Sequence, residues 1–562
     1  MSGAVLGVGL AWAGSAILTA LTEELDRSRT LSLPDAAPPY FVAYDVLDGE
    51  MCTAFAELGA LVSLRNERYR TLRAEVRTGD YSFDSSNFSA FGEREGVEQV
   101  RLPIADDLLA LRREIWLATD RAYKGAVEQL SRKQAARHGN GDARPADFEK
   151  RAPVVSHRLH EAVPLQDQAL AALVTSLTAT LTETPAIEVG QAVVRQWEGQ
   201  RYVVTSEGTQ LEMPTGYTVL RVEAVTRLAD GSRERDARSW VVRSPEDLPP
   251  EAELRAEVAE MAAWLDALHD APAEPDYLGP VIFEGQAAIE LFSQLLAGEI
   301  TGTPAVEEEL QNGELPSSGP VQARLGRRLL PRGWTVTDEV SAHPETPAWY
   351  AYDHEGVPPA SVELVRDGVL VDVLMSRIPR EDRASSTGHA RAVRAARRAA
   401  LPGAVEVRPA RQSSARRIRR LALDASALAG HDYVLVVKQI EPPAIHEQFD
   451  VTYSGEGPPA GLTQPFEVER LYRDGRREPV RSLSFLGVDR GALRDIEAAG
   501  PMVPAATLLD GPAGTGRFAI GPTGGIPVWW SVPTVLVAEV ELRSRAGGEH
   551  RVIAAPRVGS VD

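Results

Sequence analysis

The chain has 562 residues, too many for one small core, so two or three domains are expected. With 43% apolar and 25% charged residues the composition is globular and excludes a disordered chain, while a net charge of −20 argues against a general nucleic-acid binder and suits a soluble acidic protein. The single cysteine, Cys52, excludes an internal disulfide framework but does not fix the compartment.

The first segment, Ala4 to Leu21, is apolar and about as long as a membrane span. It lacks the basic start of a signal peptide, although Ala11-Trp12-Ala13 or Gly14-Ser15-Ala16 would serve as a cleavage site. The other reading is an amphipathic helix, because Ile17, Leu18, Leu21 and Leu25 recur at helical spacing and run into Glu23, Glu24 and Asp26. A leader at 1–20 implies export; a helix there is consistent with a cytoplasmic protein. No other segment is apolar for long enough to span a bilayer.

From Pro38 to about Asn87 aromatic and β-branched residues predict strands: Tyr40 to Leu47, a turn at Asp48-Gly49, then Met51 to Leu64 and Arg68 to Val76, ending at Thr78-Gly79-Asp80. Leu108 to Leu130 reads as a long amphipathic helix, and the polar stretch Arg132 to Arg144 as a loop. A second helix is expected from Leu165 to about Leu181, with Leu165, Ala169, Leu173, Leu177 and Leu181 on one face. Strands follow at Ala192 to Gln196, at Tyr202 to Thr205 before a turn at Ser206-Glu207-Gly208-Thr209, and at Tyr217 to Arg227 before a turn at Asp230-Gly231. A helix from Glu251 to Leu268 lies between Pro249-Pro250 and Pro272, and Pro272 to Pro275 marks a boundary. Beyond it one helix, opening at Gly279, leads into many short strands, the last clear one being Thr534 to Leu542. The divisions are then 1–30, a helix or leader; 31–145, strand and helix; 146–275, α/β; and 276–562, β-rich.

Four blocks carry the most information: Gly279-Pro280-Val281-Ile282-Phe283-Glu284-Gly285-Gln286-Ala287-Ala288-Ile289-Glu290, Tyr352-Asp353-His354-Glu355-Gly356-Val357-Pro358, Arg366-Asp367-Gly368-Val369-Leu370, and Ser386-Thr387-Gly388-His389-Ala390-Arg391. In that order they resemble the TldD/PmbA family, the "modulator of DNA gyrase" metallopeptidases, where a G-V-L-x-H-E-A-x-x-H helix precedes D-D-E-G-x-P, E-N-G-V-L and S-T-G-N-x-R. Ser206-Glu207-Gly208-Thr209 resembles the family's N-S-E-G turn. The resemblance runs from roughly Leu31 to Ile553 and is most specific in the second half. It implies an α+β fold, with a TldD/PmbA-like N-terminal α/β region followed by a β-rich C-terminal domain.

In this alignment Phe283 stands where the first metal histidine belongs and Ala288 where the second belongs, so only Glu284 of the trio remains. The family's third ligand is a cysteine near the C-terminus, and Cys52 lies far upstream. A catalytic zinc needs three protein ligands at about 2.0–2.3 Å, which a phenyl ring and a methyl group cannot supply. Without the metal there is no activated water and no Lewis acid. The PmbA-type (TldE) half of the family likewise lacks these ligands and pairs with the zinc-bearing TldD half. The resemblance therefore implies a non-catalytic subunit or peptide-binding scaffold without a cofactor or catalytic residues. Its expected partners are unfolded peptide and either a second copy or a zinc-bearing TldD-like subunit. The candidate cleft residues are Asp353, His354, Glu355, Ser386, Thr387, Gly388, His389 and Arg391.

Two other readings stay open. His354, His389, Glu284 and Asp353 would form a rewired zinc site in an active metallopeptidase if they converged on one ion. The segment Arg377 to Arg420 carries 13 arginines against three acids, and Arg391, Arg394 and Arg398 would share a helix face able to bind anions or nucleic acid. A solvated face paired with surplus carboxylates is the plainer account, and no aromatic side chain interrupts the segment.

Three further patterns are set aside. His160-Glu161-Ala162-Val163 copies the start of the metal motif, but Pro164 would break the helix and Leu165 takes the second histidine's place, so with His157 it reads as a solvated helix approach. Gly511-Pro512-Ala513-Gly514-Thr515-Gly516-Arg517-Phe518 has Arg517 and Phe518 where a phosphate-binding loop has lysine and a hydroxyl, and reads as a glycine-rich connection. Ser386 next to His389 suggests a hydrolase only if a base and an orienting acid stand in line with it.

Overall fold

The protein is described from a computed structural model, which covers residues 15–34, 36–89, 96–136, 144–158, 163–304, 306–308, 325–391, 398–442, 461–510 and 525–545. His160, Glu161, Ala162, Arg394 and the glycine-rich stretch 511–518 lie outside these residues, as do 1–14.

Helix α1 (Ala16–Ser28) opens on Ser15, whose hydroxyl accepts the N–H of Leu18. Ile17, Leu21 and Leu25 are buried at the spacing that predicts one helical face. Strands β1 (Pro39–Glu57) and β2 (Ala60–Thr78) then form a hairpin of two 19-residue strands. Its tight turn is Leu58-Gly59, both at positive φ (44° and 81°), which matches the twist of the strands. Asp48-Gly49, expected to turn, lies instead in mid-strand. Gly49 pairs with Gly199 because the two backbones approach too closely for a side chain: a Cβ on Gly199 would sit 2.5 Å from the Asp48 carbonyl oxygen.

After β3 (Phe88–Ser89) and β4 (Val97–Arg101), α2 runs from Leu108 to Ala136, absorbing the first residues of the predicted polar loop. Next come β5 (Val155–His157), α3 (Asp167–Leu181), β6 (Ile187–Thr205), β7 (Gln210–Arg227), β8 (Arg233–Val242) and α4 (Glu251–Ala267). The two short strands expected at 192–196 and 202–205 are halves of β6. His157, read as part of a helix approach, sits on β5, paired parallel to β7.

One sheet, ordered β4-β2-β1-β6-β7-β5 with β8 also on β7, takes strands from both the 31–145 and the 146–275 stretches. Its even-numbered positions face helices. At one end Val42, Tyr44, Val46, Leu72, Ala74 and Val76 pack under α1 and α2. At the other, Cys52, Ala54, Ala56, Val194, Leu220 and Val222 pack under α3 and α4. The odd-numbered face carries Asp45, Arg73, Glu75, Arg77 and Arg201, and the rest of the chain covers it.

The second part begins with β9 (Tyr277–Phe283) and α5 (Gln286–Ile300). The run Gly279 to Phe283, expected to open a helix, is a central strand parallel to β17 (Tyr433–Ile440) and antiparallel to β24 (Pro533–Ser544). The reason is burial on both faces. Val281 and Phe283 join the core around α5, while Ile282 packs under α6 (Ala415–Leu428), so the run is apolar without alternation. Gly285, at φ 61°, turns the chain from strand into helix. The sheet reads β19-β18-β17-β9-β24-β20, with β18 at Pro465–Tyr472, β19 at Arg477–Val480, β20 at Leu483–Phe485 and β21 (Ile496–Met502) also on β24. A second sheet reads β13-β12-β11-β16-β23-β22, from Val369–Leu370, Val362–Arg366, Thr335–Asp338, Ala404–Arg408, Ile526–Ser531 and Ala506–Asp510. Two short pairs complete the set: β10 (Glu307–Glu308) on β3, and β14 (Ala390–Arg391) on β15 (Ala399–Ala400). The architecture is α+β. Among the described residues no helix is long and apolar enough to cross a membrane.

The glycine pairing is directly testable. Gly199→Ala is expected to cost about 1–3 kcal/mol through overpacking against β1. Gly298→Ala, at an exposed position of α5 with no atom within 4 Å of the added methyl, should gain about 0.5–1 kcal/mol. Urea unfolding midpoints of the two variants should move in opposite directions.

Candidate functional site

The odd-numbered face of the first sheet meets the second part of the chain across buried ion pairs. Arg398 donates to Asp45 at 3.0 Å and lies 3.5 Å from Glu75. Glu75 also binds Arg73 and, at 2.7 Å, Arg77. Arg377 donates to Glu207 at 2.7 Å and to the Glu149 carbonyl, and stacks on the Phe148 ring, where Arg77 also lies (4.1 and 3.7 Å to the centroid). The turn at Ser206 to Thr209 is thus a docking point for the second part. Burial opposes ionisation of Glu75, yet Arg77, Arg73 and Arg398 hold its carboxyl well below the usual range.

Beside this junction is a cleft of about 560 Å³. Its floor is the odd-numbered face: Asp45 and Leu47 on β1, Thr71 and Arg73 on β2, Trp197 and Arg201 on β6, Met213 and Tyr217 on β7. The opposite wall is the segment Thr346 to His354 with Arg391 and Gly525 to Pro527. Trp349 carries the guanidinium groups of Arg158 and Arg243 at 5.8 and 5.9 Å, and Tyr350 carries that of Arg391 at 5.1 Å. Desolvation pushes the Glu198 carboxyl up to about 7. Burial depresses Arg201, with Asp45 opposing and Arg398 adding to the effect.

The candidate cleft residues divide into three groups. His354 and Arg391 line the cleft. Burial, then the charges of Arg201, Arg398, Arg391 and Arg73, hold His354 well below its ordinary value, hence neutral. Asp353, Glu355 and His389 are interior. The Asp353 carboxylate accepts the N–H groups of Glu355, Val357 and Ala390 at 2.8–2.9 Å and ties the two blocks together. Burial and then Glu355 raise it to about 7. Glu355 accepts the Arg377 N–H at 2.7 Å. His389 directs Nδ1 at the Thr387 carbonyl oxygen (2.9 Å) and Nε2 at Asp338 (3.4 Å).

Ser386 and Thr387 open instead onto a separate depression beside Ser361 and Arg383. The Ser386 hydroxyl donates to the Met375 carbonyl and accepts the Gly388 N–H, so it is engaged by backbone and not by a base. Gly388 adopts φ 76°, where a Cβ would strike the Pro358 carbonyl oxygen at 2.1 Å, so this block is a turn that only glycine permits.

Phe283 and Ala288 are fully buried in the apolar core, Phe283 stacked on Phe485 at 6.1 Å. Glu284, expected on a helix, lies between β9 and α5 and accepts from Arg477 at 3.0 Å. Cys52 is buried under α3 and α4, where desolvation, then Asp167, pushes its thiol up to about 11. Among the described residues no three His, Cys, Asp or Glu side chains converge as a metal site would require. The arginine segment also differs from expectation. Arg391 is on β14 and Arg398 just before β15, not on one helix, and Arg377, Arg380, Arg391 and Arg398 are buried, not solvated. Among the described residues, Arg408 on β16 and Arg411, Arg416, Arg417, Arg419 and Arg420, on and near α6, are exposed.

Sequence reasoning missed the lining that the first sheet gives the cleft: Arg73, Trp197, Glu198, Arg201 and Tyr217. A signal existed in β2, where apolar Leu72, Ala74 and Val76 alternate with Arg73, Glu75 and Arg77. Alternation normally marks a water-facing polar side. Here that side is covered.

Two of the shifted groups in the cleft, Glu198 and His354, predict opposite pH limbs. Glu198 is harder to ionise folded than unfolded, so it lowers stability as pH rises from about 4.5 through 7. His354 is harder to protonate folded than unfolded, so it lowers stability as pH falls below about 6.5. Denaturant unfolding across pH 4.5–8 should show Glu198→Gln relieving the alkaline-side loss alone. A Glu198→Gln curve parallel to wild type would contradict the assignment.

Residues 277–435 match the PmbA/TldA metallopeptidase C-terminal domain. No curated protein matches the chain in sequence. Solved structures with the same fold include a proposed modulator of a DNA gyrase from Thermotoga maritima (14% identity, 93% of this chain and 100% of that one, TM-score 0.57). TldE from Thermococcus kodakarensis is similar to the same extent (12%, 93% and 100%, 0.57). A proposed modulator of DNA gyrase from Bacteroides thetaiotaomicron follows (11%, 94% and 98%, 0.54). Residues 277–435 thus match a PmbA/TldA-type C-terminal domain, and the fold of these solved structures extends along nearly the whole chain.

Proposed function

We propose that this chain is a zinc-less TldD/PmbA protein that serves proteolysis as a non-catalytic subunit or peptide-binding scaffold. One observation carries the reading: the positions that the family resemblance assigns to the metal histidines, Phe283 and Ala288, are buried in a continuous apolar core. Their neighbour Glu284 is engaged by Arg477. These residues do not fit a zinc ion, which requires lone pairs converging at about 2 Å. No step of a reaction is therefore assigned to a metal here.

What remains is binding. The cleft between the sheet and the 346–354 segment lies within the range of about 300–1,000 Å³ usual for ligand sites, and its aromatic and arginine lining suits a peptide segment. Sheet edges add main-chain hydrogen bonding to an extended chain. The partner is a second copy or a zinc-bearing TldD-like subunit, as the family resemblance implies. The rewired-metal alternative has less support. Asp353 is occupied by three backbone N–H groups, His389 faces Thr387 and Asp338, and Glu284 pairs elsewhere.

The test is metal content by mass spectrometry on protein purified without chelator, alongside hydrolysis of an unfolded peptide pool. The expected result is no stoichiometric zinc and no cleavage, with the pool nonetheless retained. One zinc per chain with chelator-sensitive cleavage would overturn the proposal. Phe283→His combined with Ala288→His should lose stability by about 1–3 kcal/mol per unsatisfied imidazole without gaining zinc.

A further inference from the structure

The cleft holds more positive than negative charge, and its surplus is buried. Arg73, Arg201 and Arg391 line it from the interior, with Arg158 and Arg243 at its rim. The lining carboxylates are Asp45 and Glu198, and behind them Glu75 pairs with Arg73. Asp45 is already bound by Arg398 at 3.0 Å, leaving Arg201 a longer 3.5 Å contact to the same oxygen. Burial raises the Glu198 carboxyl to about 7, which opposes its ionisation near neutral pH. Arg391 directs its guanidinium at the Pro402 and Pro527 carbonyl oxygens, which accept hydrogen bonds but do not cancel its charge. Among the described residues, the buried Nε atoms of Arg73 and Arg391 and the indole Nε1 of Trp197 have no hydrogen-bond acceptor.

Buried donors without acceptors cost free energy unless a ligand completes them. A forked guanidinium matches a carboxylate in plane, and an indole N–H is a further donor to an anion. Around these donors stand apolar and aromatic walls: Leu47, Met213, Tyr217 and Trp349. The complement of such a site is an anionic end on an apolar body.

We infer that this cleft binds a peptide by its free C-terminal carboxylate, held by Arg201 and its neighbouring arginines, with the preceding apolar side chain against Trp197 and Trp349. The inference rests on the peptide-binding reading above and sharpens it, since a main chain gripped only at sheet edges would show no preference for its end.

The test is titration calorimetry on the full chain with the peptide Ala-Ala-Ala-Phe as the free acid and as its C-terminal amide. The acid should bind at least about tenfold more tightly, and added acetate should weaken it. Arg201→Gln should remove the difference between the two peptides. Arg243→Gln, at an exposed rim position, should weaken the acid a few-fold and leave the amide unchanged. Equal affinity for acid and amide would overturn the inference while leaving the scaffold reading intact. Failure of both peptides and of an unfolded peptide pool to bind would overturn both readings. An acid preference that survives both variants would place the carboxylate elsewhere and overturn the site. Phosphate displacing the acid far more strongly than acetate does would replace the carboxylate with a phosphate ligand.

Discussion

The buried ion-pair network between the first sheet and the second part of the chain organises the molecule. Arg73, Glu75 and Arg77 project from one face of β2, Asp45 from β1 and Arg201 from β6; Arg398, more than 300 residues beyond β1 and β2, meets Asp45 and Glu75, while Arg377 pairs with Glu207. Burying ions is costly, and the attraction between them offsets the cost only when geometry and further hydrogen bonds are good. Removing one partner of such a pair typically costs about 3–5 kcal/mol, because the other is left charged and dry. A network of this kind adds less to stability than to register. It joins the two parts beside the cleft.

The same constraint bears on Phe283 and Ala288, the two positions that the resemblance aligns with metal histidines. Phe283 closes a strand that is apolar on both faces, and Ala288 is on the inner side of the helix that follows. Once these two positions join a dry core, polar side chains there would be unsatisfied. The polar residues of the neighbouring blocks have structural work instead. Asp353 ties its own turn to Ala390, Glu355 anchors Arg377, and Thr387 with His389 closes the turn through Gly388. The chemistry left at the surface is concentrated in the cleft, where arginine and aromatic side chains converge.

Much of the fold was legible in the sequence. The helices at 108–130, 165–181 and 251–268 followed from apolar spacing and flanking prolines, and the turns at 206–209 and 230–231 from their glycines. The errors share one cause. Gly49 reads as a turn because an isolated chain shows only its freedom, not the strand that presses against it. Val281 to Phe283 reads as helix because a run buried on both faces carries no period. Arg391 and Arg398 read as one helix face because spacing was taken for helix, whereas both lie at short strands.

By itself the sequence carried the fold class and the resemblance of its motif blocks, with Phe283 and Ala288 at the aligned histidine positions, because these depend on residue identity and order along the chain. Tertiary structure alone decided which charges are buried and against what. Arg73 and Arg201 are remote from Tyr350 and Arg391 in sequence and share one cavity only after the two parts dock. Burial is a property of neighbours, and a charged side chain reads the same in sequence whether water or a carboxylate will face it.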